Sequence, residues 1–241
     1  MQRVITQVSV LTSTVVLMAC GSTAVHPSDG GTQTDGGAQT AKDASPDASG
    51  DASKPTTFSQ VAYLSTSPER SFPGGATQVL EADKDYIATI ETDIGSMDFD
   101  LYEKDTPVTV NSFVFLALHH FYEGIAFHRV IDGFMAQSGD PNSVSGSPST
   151  WGTGGPGYKF VLEVVPTLNF DAAGVLGMAR TSSPNTNGSQ FFITFAAATN
   201  LDQQYTVWGK LTSGSDVLNN IVKGEPPATP TRIKEVRISA K

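Results

Sequence analysis

A chain of 241 residues, 39% hydrophobic and 16% charged, has room for one domain of ordinary size behind about sixty leading positions that look unable to join a core. Its 15 basic residues against 24 acidic ones give a net charge of -9, which argues against nucleic acid and anionic membrane surfaces as partners. A single cysteine excludes an internal disulfide, a cysteine-rich zinc site and a Cys-x-x-Cys redox pair, and four scattered histidines give no metal cluster.

Residues 1–19 read as a signal peptide. A basic start, Met1-Gln-Arg3, precedes the mostly apolar run Val4 to Ala19, which is too short and too broken by Thr and Ser to be a convincing membrane span. The box Leu17-Met-Ala-Cys20-Gly21 resembles a bacterial lipoprotein signal, with Met18 bulkier than usual inside it. That resemblance implies Cys20 as a lipidated N-terminus and an extracytoplasmic, membrane-anchored lipoprotein. An ordinary secretory signal with an incidental cysteine is the alternative, and export is common to both. Residues 20–57 are then the lipidated cysteine and a flexible tether, because Gly21 to Pro55 is Gly, Ser, Thr, Asp, Ala and Pro with too little apolar surface to offset ordering entropy. A coil of roughly 35 residues reaches ~30 Å. Residues 58–84 form an N-terminal extension in which Val61 to Leu64 suits a short strand and Ser67-Pro-Glu69 and Phe72-Pro-Gly-Gly75 suit turns. Composition leaves open whether it packs on the domain or merely leads up to it.

The domain proper spans residues 85–241. Tyr86 to Glu91 and Ser96 to Tyr102, split by Asp93-Ile-Gly95, read as a hairpin. Thr106 before Pro107 predicts a helix with a capping hydroxyl, running about four turns to a stop near Tyr122-Glu-Gly124. Further strands are expected over Ala126 to Val130, Phe134 to Gln137, Val175 to Ala179, Phe191 to Phe195, Thr206 to Lys210 and Ile233 to Ile238. A second helix is expected over Asp216 to Lys223. Many short strands, two helices and no strand-helix alternation favour a mainly β fold, a closed antiparallel barrel, over a doubly wound sheet.

Five blocks in this region resemble the cyclophilin-type peptidyl-prolyl isomerases. They are Phe127-His-Arg129-Val-Ile-Asp-Gly-Phe134-Met135-Ala-Gln137-Ser-Gly139-Asp-Pro, Gly152-Thr-Gly-Gly155-Pro-Gly-Tyr158, Gly174-Val-Leu-Gly-Met178-Ala179-Arg180, Asn185 to Ile193, and Leu201-Asp-Gln-Gln-Tyr205-Thr-Val-Trp208-Gly209. The resemblance implies an eight-stranded barrel capped by two helices, a packed interior, and an outer groove for proline-containing polypeptides. It implies no cofactor and no metal, and a monomer is expected.

The residue inventory suits a reaction without covalent chemistry, since it holds no Gly-x-Ser-x-Gly elbow, no recognisable Ser-His-Asp context and no phosphate loop. Rotation about an X-Pro bond, with its barrier near ~20 kcal/mol, asks only that the twisted amide be bound better than the planar ones. By the resemblance, Arg129 would donate toward the prolyl nitrogen as conjugation is lost, and Gln137 would orient it. Phe134, Met135, Phe192 and Leu201 would form an apolar cup with Tyr205 at its edge. The main chain of Arg180 would hold the residue before proline, and Ala179 and Gln190 would line the groove. Alternation puts Phe191 and Phe192 on opposite faces, and the resemblance selects Phe192 for the groove. His128 reads as structural, because the step moves no proton. Asn200 stands where well-known members carry a groove-edge tryptophan, so tight cyclosporin binding is not expected. Tyr205 replaces a common histidine, Arg180 a frequent asparagine, and the segment 142–151 is longer than in compact members. The expected function is therefore isomerisation of X-Pro bonds in exported proteins, with a catalytically weak proline-binding or assembly module as the alternative.

Overall fold

The structure, a computed structural model, describes residues 57–241. The expected signal, the lipidated Cys20 and all but the last residue of the tether lie outside the described residues.

Alternation of buried and open side chains builds the first hairpin, strands β2 (Tyr86–Thr92) and β3 (Gly95–Leu101). Ala88, Ile90, Met97 and Phe99 point inward and are fully covered. Strands β4 (Arg129–Ile131) and β5 (Met135–Ser138) form a second hairpin. They are followed by β6 (Val175–Met178), β7 (Phe191–Thr194), β8 (Val207–Ser213) and β9 (Ile233–Ala240). Strand β1 (Ser59–Gln60) comes from the N-terminal extension.

These strands correct the expectation of a closed eight-stranded barrel. Among the described residues there are nine, all antiparallel, in one sheet of order β1-β9-β2-β3-β8-β6-β7-β5-β4, whose first and last members do not pair. Two local causes keep it open. The free edge of β9 is taken by β1, through Ser59 opposite Ala240 and Gln60 opposite Ser239. At the other end β4 is three residues long, and beyond it only isolated bridges form, Val130 with Gly224 and Ala126 with Arg232.

Helix α1 (Pro107–Leu118) is buried at ten of its twelve positions. A helix apolar on every side needs cover on every side. Phe113 faces the sheet, 4.6 Å from Trp208 and 5.8 Å from Phe191 between ring centroids. The outer side is covered by the extension, which decides the question the composition left open. Phe72 packs edge-on against Phe115, and Tyr63 lies against His120. Backbone bonds from Val61 to Ile238 and from Leu64 to Leu118, both 2.8 Å, fix its path. Buried Asn111 completes the clasp, accepting from the Val79 and Leu80 amides and donating to the Thr77 carbonyl.

The start of α1 also differs from expectation. Thr106 does not cap it; its hydroxyl turns back to the Tyr102 carbonyl. Glu163, 54 residues on from Thr109, caps instead, accepting from the Val108 amide at 3.1 Å, the Thr109 amide at 2.7 Å and the Thr109 hydroxyl at 2.6 Å. A carboxylate at a helix N-terminus satisfies orphan donors and opposes the positive end of the dipole. The second helix, α2 (Ser215–Asn220), is shorter than expected, because Ile221 leaves the helical path and turns into the core. Replacing the capping carboxylate, Glu163→Ala, is expected to lower stability by about 1–2 kcal/mol, read as a fall in the urea midpoint with unchanged slope.

Candidate active site

Register across three strands assembles the site. Arg129 on β4 lies opposite Gln137 on β5, and Gln137 lies opposite Phe192 on β7. Directly opposed residues share a face, so these three side chains and Met135, two positions along, emerge on one side of the sheet. Their neighbours Val130, Ala136 and Phe191 enter the main core on the other side. The tight turn joining β4 to β5 needs positive φ, which Gly133 supplies at 67°.

A second, smaller apolar cluster fills the outer face. Met135, Phe170, Val175, Phe192, Ala198 and Val207 form it, with Phe134, Leu201 and Tyr205 packed at its margin. The Phe192 ring stacks on Phe170 with centroids 5.4 Å apart and meets Tyr205 edge-on at 5.8 Å. Gly177, its partner across β6 and β7, leaves the space the ring occupies, since a Cβ there would fall 2.2 Å from Phe192 Cζ.

Above this cluster opens a cavity of about 270 Å³ lined by Arg129, Phe134, Met135, Gln137, Ala179, Arg180, Phe192, Leu201 and Tyr205. Every site residue named from the sequence that lies among the described residues, apart from Gln190, borders it. Gln190 lines a larger neighbouring cavity of about 880 Å³ together with Gln137, Ala179, Arg180 and the glycine run 152–155. The Gln137 amide donates to Gln190 Oε1 at 3.0 Å, and Gln190 donates to the Gly154 carbonyl at 2.8 Å, so a polar chain joins the two cavities. The Gln137 side chain thus engages Gln190, whereas Arg129 donates through Nε to Glu225 at 2.8 Å. Both partners of that ion pair are open to solvent, 43% and 52% exposed, so it is weak, and the terminal guanidinium nitrogens make no hydrogen bond among the described residues.

Two contributors escape sequence reasoning. Phe170, the back wall, sits in an irregular segment and is held by its amide to Asp202 and its carbonyl to the Ala198 amide. Glu225 lies 96 residues from Arg129 and is brought close by the paired bonds between Val130 and Gly224. Neither has a local signal, because long-range pairing places both. Two of the described histidines lie elsewhere: His119 bonds the Phe115 carbonyl, and His120 pairs with Glu123 and reaches the Ser65 carbonyl under the extension. Among the described residues no group of His, Cys, Asp and Glu converges to hold a metal ion.

An open antiparallel sheet with one helix clasped to its inner face, and on its outer face an arginine beside an aromatic-walled cup, defines the class. The particular family follows from the match of residues 87–240 to the model described as cyclophilin type peptidyl-prolyl cis-trans isomerase/CLD. The chain belongs to this family and is an isomerase. It is 42% identical over 147 residues to a peptidyl-prolyl cis-trans isomerase of Helicobacter pylori, covering 60% of this chain and 85% of that one. It is 38% identical over 159 residues to the peptidyl-prolyl cis-trans isomerase-like 3 of Gallus gallus, covering 63% of this chain and 95% of that one. Among solved structures, a Cryptosporidium parvum cyclophilin type isomerase crystallised in the presence of the dipeptide Ala-Pro superposes with a TM-score of 0.55 at 34% identity, covering 62% of this chain and 96% of that one.

Next to Arg129, His128 points inward. Burial pushes its imidazole pKa below the ordinary value near ~6.5, opposed in part by the Asp140 carboxylate. On acidification through ~6.5 the unfolded chain therefore takes up a proton that the folded one refuses, and stability falls with pH in the window beneath that value. Between about pH 7 and about pH 5.5, His128→Phe should lose less stability than the parent, by up to about 1 kcal/mol in urea unfolding. Equal losses would exclude His128 as an acid-sensitive group.

Proposed function

We propose that the chain isomerises X-Pro bonds of exported proteins, with the 270 Å³ cup receiving the proline ring and Arg129 acting at its rim. The observation that carries this reading is the register placing Arg129, Gln137 and Phe192 on one face above the apolar cluster. Phe134, Met135, Phe192 and Leu201 hold the ring by dispersion and exclusion of water, and Tyr205 closes one side. As the amide twists, conjugation is lost and the prolyl nitrogen gains a lone pair, toward which a terminal guanidinium N–H donates. This bond exists only near the top of the barrier, so it lowers the barrier without stabilising either planar state. The main chain of Arg180 aligns the residue before proline, and Gln137 with Gln190 borders the backbone on that side. That the Cryptosporidium relative was crystallised in the presence of Ala-Pro supports a proline-containing ligand.

The signal-like start supports action outside the cytoplasm, and Cys20 supports attachment through an N-terminal lipid. No helix among the described residues is long and apolar enough to cross a membrane.

A charge-assisted bond of ~1.5–3 kcal/mol corresponds to about ten- to a hundred-fold in rate. Arg129→Ala is accordingly expected to lower kcat/KM by that factor in a refolding-limited or protease-coupled proline-peptide assay, while Arg129→Lys recovers part of it. Undiminished turnover in Arg129→Ala would defeat the role assigned to Arg129, and only absence of turnover in the parent would leave the proline-binding module as the better account. Attachment is tested separately: Cys20→Ala should move the expressed protein from the membrane fraction to the soluble extracytoplasmic fraction, and an unchanged membrane fraction would defeat the lipid reading.

A further inference from the structure

The larger cavity, about 880 Å³, has a charge character opposite to that of the chain around it. The protein carries 24 acidic residues against 15 basic, yet this lining contains Lys159 and Arg180 and no carboxylate. Asp140 lies behind the wall, buried, and its carboxylate is occupied by the Asn142 and Gly152 amides.

Arg180 borders both cavities. Its guanidinium is held without being neutralised. Nε and Nη2 donate to the Gln204 carbonyl, Nη1 donates to the Thr181 and Ser182 carbonyls, and the plane lies 4.6 Å over the Tyr205 ring. Four of the five N–H donors of an arginine are thus used on neutral oxygens, and no carboxylate pairs with it among the described residues. A cation fixed in this way has already lost most of its rotamer freedom, so meeting an anion there costs little further ordering. Lys159, exposed on the same lining, adds a second positive charge.

We propose that Arg180, assisted by Lys159, makes the enzyme select substrates with an acidic side chain on the N-terminal side of the proline. The inference rests on the isomerase reading above, in which the chain preceding proline passes Arg180. It assigns Arg180 a side-chain role in specificity beside the main-chain role given to it there. The ligand chemistry is a peptide carboxylate reaching from the backbone into the wide cavity, where a lysine side chain meets like charge.

The test uses the full chain and three peptides that differ only in the two positions before proline, carrying Ala, Glu or Lys. Exchange between cis and trans forms is followed by NMR, which avoids any bias of a coupling protease. At low ionic strength the Glu peptide should be turned over about tenfold faster than the Lys peptide at equal concentration, and high salt should remove most of the difference. Arg180→Gln should bring the ratio close to one whatever it does to the absolute rate, and Lys159→Gln should reduce it less. A wild-type ratio near one, or a ratio that Arg180→Gln leaves intact, overturns the proposal. No acceleration of the Ala peptide would sink the isomerase reading itself. The Glu-to-Lys preference is then read from peptide affinities by NMR titration, with a preference that Arg180→Gln abolishes in support and equal affinities against.

Discussion

Everything functional in this molecule depends on the two-residue period of an extended strand. Because successive side chains must leave opposite faces, the pair Phe191-Phe192 divides its bulk between two apolar clusters. Phe191 is packed with Phe113, Tyr122 and Trp208 in the main core, and Phe192 with Phe170 and Tyr205 in the cup. A slip of one residue in β5 or β7 would exchange these roles and turn Arg129 and Gln137 out of alignment with the ring beneath them. Gly177 reinforces the register, since its missing side chain is the space that the Phe192 ring fills. The main core, with Val130 and Ala136 on its side of the same strands, therefore also aims the groove.

Much of this could be read from the chain, and the reasons are local. The eight strands expected within residues 85–241 are present, the one expected over Ala126 to Val130 as Arg129–Ile131, because alternation and turn glycines are short-range signals, whereas Val61 to Leu64 is not a strand and the extension pairs through Ser59–Gln60 instead. The division between Phe191 and Phe192 was legible for the same reason. Closure was not, because it depends on what meets the edges of β9 and β4, and that is decided by residues far away in sequence. Strand β1 lies about 180 positions before its partner, a separation that patterning cannot see. The cap of α1 shows the same limit: Thr106 had the right chemistry beside Pro107, yet Glu163 arrives from a distant loop with two oxygens to offer. Phe170 and Glu225 escaped notice on the same grounds. What motif resemblance supplied was the grouping of residues from three strands and the segments that join them, which no spacing rule would have brought together.

The two arginines at the groove illustrate how placement alters an identical side chain. Arg129 meets a solvent-exposed carboxylate through one nitrogen and keeps its terminal amines uncommitted among the described residues, as the role proposed for it at a twisting amide requires. Arg180 is clamped by carbonyls and stacked on Tyr205, as the selectivity proposed for it requires. Tyr205 thereby serves both cavities, one through its edge contact with Phe192 and the other through the face it presents to Arg180.

The N-terminal extension has a mechanical consequence. It enters at the β1–β9 edge, crosses the outer side of α1, and reaches the groove loop where the Phe72 amide bonds the Pro156 carbonyl at 2.7 Å. Tension arriving through residue 57 falls first on the two residue pairs of β1, which can be peeled away in turn, before it reaches the Asn111 clasp and the rim of the groove. Under such a tug the short strand would give way before the substrate groove is deformed.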